Sequence, residues 1–294
     1  MLLSKYPEDK RLLIEDALTN FFPPTGNYPE LLYKAIRYSL LSGGKRFRPI
    51  LVLATAEIFG MNPIDVIPVA CAIECVHTYS LIHDDLPAID DDNIRRGKPT
   101  CHIAFGEDMA ILAGDGLFAE AFYLIAKRQK TDNPSKIVHV IEELSEASGP
   151  RGMVGGQVLD ILSSGKKIDL NTLKFIHIHK TGRLIRASCR IGAILAGASA
   201  KELKAVSNYA EHLGLAFQIT DDILDVIGKT ASLGKEPGSD ERKNKATFPS
   251  IFGLEHSKEL AKKAADDAKE ALKDIDKDTS PLASLADFVF ERDK

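Results

Sequence analysis

Apolar residues recur every three to four positions from Leu12 to Phe22, from Leu31 to Leu41 and from Pro49 to Phe59, the spacing that lines one face of a helix. Valine and isoleucine nowhere alternate long enough to build a sheet. The pattern predicts an all-α protein. Its interruptions fall at Phe22-Pro23-Pro24-Thr25-Gly26, Gly60-Met61-Asn62-Pro63, Thr131-Asp132-Asn133-Pro134, Gly149-Pro150-Arg151-Gly152 and Ser163-Ser164-Gly165, where glycine, proline and asparagine end helices. These are short enough to be inter-helix turns, so a single domain over residues 1–294 is expected. The longest irregular stretch runs from Gly228 to Lys245 and follows an acidic cluster, in the position of a lid. Ser257 to Lys273, rich in Ala, Lys, Glu and Asp, reads as a solvated surface helix laced with i,i+4 ion pairs.

Composition narrows the class. An apolar content of 44% supplies a large core, and a net charge of -4 with a pI near 6.1 leaves no basic excess to neutralise a nucleic-acid backbone. Cys71, Cys75, Cys101 and Cys189 lack the paired spacing of zinc sites and are too few for a disulfide framework, which points to a reduced, cytoplasmic setting. The mixed charges from Met1 to Asp16 do not form a secretory signal. No run of ~18 consecutive apolar residues suggests a membrane span.

Two acidic clusters stand out against apolar flanks, His83-Asp84-Asp85-Leu86-Pro87-Ala88-Ile89-Asp90-Asp91-Asp92 and Asp221-Asp222-Ile223-Leu224-Asp225. Crowded carboxylates short of water need cations to stay ionised, and an all-oxygen set suits Mg²⁺ bridging to a substrate phosphate. On a helix Asp221 and Asp225 share a face, with Gln218 and Lys229 along the same stripe. His77 and Asp84 nearly eclipse, and Pro87 ends the regular turn so that Asp90 curls back. Arg95 and Arg96 follow at once and are placed to clamp an anion, unless they serve only as ion-pair partners of the cluster. A third feature is Gly43-Gly44-Lys45-Arg46-Phe47-Arg48-Pro49. Three cations at the start of a helix oppose the macrodipole, and the loop has no acidic neighbour in sequence, so they suit an anion. Two anion sites, one with metal and one with bare cations, suggest two phosphorylated substrates.

Together with Lys180-Thr181-Gly182 and Phe217-Gln218, these motifs resemble those of the trans-prenyltransferases, and within them the bacterial farnesyl diphosphate synthases. The similarity runs from about Leu31 to the C-terminus. It implies an isoprenoid-synthase-like bundle of about ten or more helices around a deep central cavity, and a homodimer. It implies that Asp84, Asp85, Asp90, Asp221, Asp222 and Asp225 bind Mg²⁺, three ions in all, on an allylic diphosphate whose charge cage is completed by Arg95, Lys180, Lys235 and Lys245. Lys45, Arg48, His77 and Arg96 would hold isopentenyl diphosphate. Thr181, the Lys180 carbonyl and Gln218 would turn oxygen dipoles toward an allylic cation, with Gln157 and Asp160 as polar neighbours of the clamp. Tyr79, with Ser80 beside it, would set the length of the product at C15, the geranyl (C10) and geranylgeranyl (C20) synthases being the alternatives. A His-Asp pair such as His83-Asp84 is also the core of HD-type metal phosphohydrolases, but His102, His139, His177 and His212 show no matching arrangement. His83 is then an orienting or core residue, and His177 and His179 are ordinary helix residues.

Overall fold

The computed structural model describes residues 6–24, 26, 28–166, 168–227 and 246–291. Among these the protein is all-α apart from one small hairpin, and two compact units are recognisable.

The first unit, residues 6–53 and 62–141, holds α1 (Tyr6–Phe21), α2 (Glu30–Leu40), the start of α3 (Phe47–Ile58), α4 (Ile67–Asp84), α5 (Cys101–Phe105), α6 (Glu107–Tyr123) and the start of α7 (Pro134–Ser148). Between Val69 and Val76 α4 is apolar on every side but for Glu74, the signature of a helix segment buried all round. Val69, Ala70, Cys71, Ala72, Ile73, Cys75 and Val76 are fully buried, each branched aliphatic contributing about 1.5–3 kcal/mol by leaving water. α6 packs along α4, and Gly114 makes the fit possible: a β-carbon there would lie 2.8 Å from Cε1 of His83. In that notch Nε2 of His83 sits 3.1 Å from the carbonyl of Ile111.

Two antiparallel two-residue strands, β1 (Ile94–Arg95) and β2 (Lys98–Pro99), depart from the purely helical pattern. Arg96 and Gly97 between them both take positive φ, 52° and 72°, the signature of a tight primed turn. Strands this short leave no alternation to detect in sequence.

The second unit, residues 54–61 and 142–291, holds α8 (Met153–Ser163), α9 (Leu170–Ile176), a π-helical segment His177–Gly182, α10 (Arg183–Ala196), α11 (Ala200–Ile227), α12 (Phe248–Phe252), α13 (Leu254–Ala271) and α14 (Ser280–Glu291). α11 is its spine and packs most extensively on α13. α13 is therefore not the solvated surface helix its charge suggests. Ala261, Ala264, Ala265 and Ala268 form a buried stripe, and Ala261 joins Leu173, Ile219, Ile223 and Phe248 in one apolar cluster. Small residues let the two helix backbones approach closely, a role that hydropathy alone understates.

Two helical stretches, Pro63–Asp84 and Glu107–Arg128, are long and apolar enough to cross a membrane by length and composition alone. The first has 67% of its apolar window buried inside the protein, as a core helix does. The second carries Asp115 and Glu120 mid-helix, charges that are costly in hydrocarbon.

Candidate active site

α4 ends at Asp84, and the chain then folds back on the helix terminus. The backbone N–H groups of Asp90 and Asp92 donate to the carbonyls of Asp84 and Asp85 at 2.8 and 3.2 Å, and that of Asp91 to Leu86 at 3.1 Å. The return expected after Pro87 is thus present, and it presents Asp90 beside the last turn of the helix. Within the pair, Asp84 is half-buried and Asp85 is 3% exposed. Nε of Arg95 donates to both oxygens of Asp85 at 2.8 and 2.9 Å, and Nη2 donates at 2.5 Å. Burial raises the pKa of Asp85 above the ordinary aspartate value, although Arg95 opposes it.

Arg96 takes a different path from its neighbour. Its guanidinium donates to the carbonyl of Gly43 and to Oγ of Ser42, and lies flat on the glycine loop. A β-carbon on Gly44, whose φ is 125°, would meet Cζ of Arg96 at 2.7 Å, so glycine is required there both by conformation and by contact.

In the glycine loop, Lys45 is exposed and Arg48 half-buried, while Arg46 is buried. The expectation that all three cations serve an anion is corrected for Arg46. Nε donates to Oε1 of Glu15 at 2.8 Å, Nη1 to Oε1 of Glu74 at 2.6 Å and Nη2 to the carbonyl of Leu40 at 2.7 Å. These acids lie far off in sequence, on α1 and α4, which is why the loop looks unpaired when read along the chain. Arg48 stands beside His77, with Nη1 3.5 Å from Nε2. A guanidinium only donates, so Nε2 of His77 faces it as an acceptor. Burial, followed by Arg48, Arg96 and Arg95, holds His77 well below the ordinary histidine value, and the ring is neutral.

Tyr79, one turn before His83 on α4, packs edge-on against His83 at 5.7 Å between ring centroids and against Phe118 of α6 at 5.1 Å. Phe118 in turn meets Phe122 at 5.2 Å. Burial and the nearby Asp84 push the Tyr79 hydroxyl up to about 12, so it remains an uncharged ring. Ser80 closes its hydroxyl onto the carbonyl of His77 at 2.8 Å and leaves its position small.

In the second unit Lys180, Thr181 and Gly182 occupy the π-helical segment, a geometry that loosens the backbone ladder and recurs at functional sites. Glycines admit it from two sides. A β-carbon on Gly156 of α8 would lie 2.7 Å from Cα of Lys180, and one on Gly214 of α11 would lie 3.1 Å from Cα of Gly182. Nζ of Lys180 bonds Oδ2 of Asp160 at 2.7 Å, which gives Asp160 a definite role in holding that cation. Both amide atoms of Gln157, one turn earlier, are buried without a hydrogen-bond partner, as is the hydroxyl of Thr220. Buried groups of this kind are completed by a ligand or water.

The second acidic cluster closes α11 and repeats the pattern of the first. Asp221 is half-buried, whereas Asp222 and Asp225 are 3% and 4% exposed. Asp222 accepts from the backbone N–H of Phe248 at 2.9 Å and from Nε2 of Gln218 at 3.2 Å, so Gln218 sides with Asp222 rather than with the Asp221 stripe. His177 is no ordinary helix residue: its Nε2 is 3.5 Å from Oδ2 of Asp222 and its ring stacks on Phe248. Nothing in the sequence marked His177 or Phe248. Lys229, Lys235, Lys245 and the expected lid lie outside the described residues. Among the described residues no three His, Cys, Asp or Glu side chains are grouped closely enough to hold a metal ion.

Over residues 29–282 the chain matches the polyprenyl synthetase family. It is 48% identical over 291 residues to a geranylgeranyl diphosphate synthase of Cyanophora paradoxa, covering 99% of this chain and 96% of that protein. It is 46% identical over 283 residues to a farnesyl diphosphate synthase of Escherichia coli K12, covering 95% of each. Among solved structures, an FPP/GFPP synthase from Zymomonas mobilis matches with a TM-score of 0.87 at 36% identity, covering 98% of both chains. A geranylgeranyl pyrophosphate synthetase from Pyrococcus horikoshii matches with a TM-score of 0.87 at 34% identity, covering 99% of this chain and 98% of that one. An all-α chain with two aspartate motifs and a glycine-cation loop is, on these likenesses, a prenyltransferase of isoprene biosynthesis. It belongs to the polyprenyl synthetase family, whose members generally use Mg²⁺, and its reaction is prenyl chain elongation.

Proposed function

We propose that this chain condenses isopentenyl diphosphate head to tail with dimethylallyl and then geranyl diphosphate, and that its product is farnesyl diphosphate. The observation that carries the product length is the seat of Tyr79. Its ring stands five residues before Asp84, roughly 7.5 Å along the helix, and is braced by Phe118 and His83. A rigid aromatic there supports a floor that stops growth at C15. The geranylgeranyl synthase at 48% identity keeps a C20 product as the second reading.

The donor set fits Mg²⁺, because every candidate ligand in both motifs is a carboxylate oxygen. When bound, the metal supplies charge that stabilises the departing diphosphate. Asp84, Asp85 and Asp90 of the first motif and Asp221, Asp222 and Asp225 of the second would be its ligands. Asp85 and Asp222 are themselves held in place, by Arg95 and by the Phe248 N–H. Arg95 and Lys180 add fixed positive charge on the allylic diphosphate, as would Lys235 and Lys245. Lys45, Arg48, His77 and Arg96 grip the second diphosphate without a metal, so that it is retained rather than activated. The isopentenyl double bond attacks the allylic cation. A proton then leaves to the released diphosphate, and no protein base is needed. The oxygens of Thr181, the Lys180 carbonyl and Gln218 stabilise the cation without a nucleophile strong enough to trap it. The neutral His77 is likewise suited to hydrogen bonding beside a cationic pair. Chromatography of products from the purified protein with both C5 diphosphates and Mg²⁺ tests the proposal. A dominant C15 diphosphate supports it, and a dominant C20 product favours the second reading.

A further inference from the structure

We infer that Arg46 is a positioning residue for isopentenyl diphosphate: it takes no part in binding, but fixes the register in which Lys45 and Arg48 meet the anion. This rests on the proposed assignment of Lys45, Arg48 and His77 to that substrate.

Arg46 takes φ of 48°, a left-handed conformation unusual for a side-chain-bearing residue, and only Lys45 separates it from the two glycines Gly43 and Gly44, whose φ is also positive. Its carbonyl accepts the first helical bond of α3, from the N–H of Ile50 at 3.0 Å, so the left-handed residue is also the point where the helix starts. The reversal sends the Arg46 side chain inward, where it is 0% exposed, and leaves Lys45 outward. Inside, all three guanidinium nitrogens are used, by Glu15, Glu74 and the Leu40 carbonyl. With two carboxylates around one guanidinium, Arg46 has no positive charge left over for a substrate.

What remains is registration. Glu74 and His77 lie one helical turn apart on α4. Two residues of the loop are matched to them, Arg46 to Glu74 at 2.6 Å and Arg48 to His77 at 3.5 Å. The first contact is a buried charged bond and the second is long and weak, so the first sets the second. Arg96 also holds the same loop, at Gly43 and Gly44. The anion-binding cations therefore ride on a loop clamped at its middle residue.

The test is steady-state kinetics and isopentenyl diphosphate calorimetry on full-length Arg46→Lys, Glu15→Gln and Lys45→Ala. A lysine keeps the charge but cannot span three acceptors. Arg46→Lys should raise the isopentenyl diphosphate KM about tenfold and weaken its binding to match, with the allylic KM within about twofold of wild type. Glu15→Gln, which removes the charge of the half-buried arm of the clamp, along with its 3.7 Å pairing to Arg11, and keeps the bond to Glu74, should raise that KM about threefold. A lower melting temperature with an unchanged isopentenyl diphosphate KM in both variants would overturn the inference and make Arg46 merely structural. If Arg46→Lys does not fold, Glu15→Gln decides in the same way. Lys45→Ala separates the two levels. Unchanged isopentenyl diphosphate binding in Lys45→Ala would sink the site assignment itself, whereas a loss there with no effect at Arg46 and Glu15 would sink only the positioning role.

Discussion

Arg95 holds Asp85 through Nε and Nη2 at 2.5 to 2.9 Å, so the second carboxylate of the first acidic pair is bound to protein before any substrate arrives. Asp222, the second carboxylate of the other pair, is also held by protein, through neutral donors: the Phe248 N–H at 2.9 Å and Nε2 of Gln218 at 3.2 Å. In both motifs the leading aspartate is left half-buried and its neighbour is buried. Each pair thus sets one buried, hydrogen-bonded carboxylate beside a half-buried one, and hydrogen bonding to the buried member favours its ionised form.

Asp84→Ala and Asp221→Ala should each lower turnover by orders of magnitude, since each deletes charge stabilisation worth several kcal/mol in the transition state. Melting temperatures should hold, because losing one of several repelling carboxylates relieves strain. Activity should vanish in EDTA and return with Mg²⁺. Full turnover in excess EDTA would contradict the metal's role.

Much of this was legible in the sequence because its signals are local. Helix periodicity, the proline and glycine breaks and the return of the chain after Pro87 each depend on neighbours a few residues away, and the observed helices start and stop close to those breaks. What stayed hidden was long-range. Arg46 finds Glu15 and Glu74 31 and 28 residues off, and no pattern along the loop announces that. The π-helical setting of Lys180 depends on the missing β-carbons of Gly156 and Gly214, which spacing does not reveal. The alanine stripe of α13 was masked by the charges on its other face.

Gly156→Ala should show how tightly the π-helical segment is held. The new methyl would press on the Lys180 backbone, which cannot rotate away as a side chain could. Overpacking of this kind costs about 1–3 kcal/mol, and it would displace both the Lys180 carbonyl and Thr181. The turnover number should fall while the isopentenyl diphosphate KM stays near wild type. Denaturant unfolding together with kinetics checks both halves; an alanine variant with wild-type stability and turnover would refute the close contact.

His77 should make the protein acid-sensitive. Its folded pKa is depressed by burial and by Arg48, Arg96 and Arg95, while the unfolded chain titrates at about 6.5. Below that pH the unfolded state binds a proton that the folded state refuses, so stability must fall as pH falls through about 6.5 and is unaffected by this group above it. Urea unfolding of wild type and His77→Gln from neutral to mildly acidic pH should show the difference shifting in favour of the variant as pH drops. A pH-independent difference would show that the ring does not titrate as its surroundings require.

Tyr79→Ala should move products from C15 toward C20 or longer, and Ser80→Phe should shorten them toward C10. Phe118→Ala should act in the same direction as Tyr79→Ala but more weakly, because it removes the brace and leaves the ring. A Tyr79→Ala enzyme that still stops at C15 would place the limit on another residue.

The most direct measurement is the product spectrum of the wild-type protein given radiolabelled isopentenyl diphosphate with dimethylallyl diphosphate, and separately with geranyl diphosphate, in the presence of Mg²⁺. Farnesyl diphosphate as the main product of both incubations, absent without the metal, is the predicted result. Release of inorganic phosphate from a single substrate with no condensation product, or equal yields with and without Mg²⁺, would contradict it.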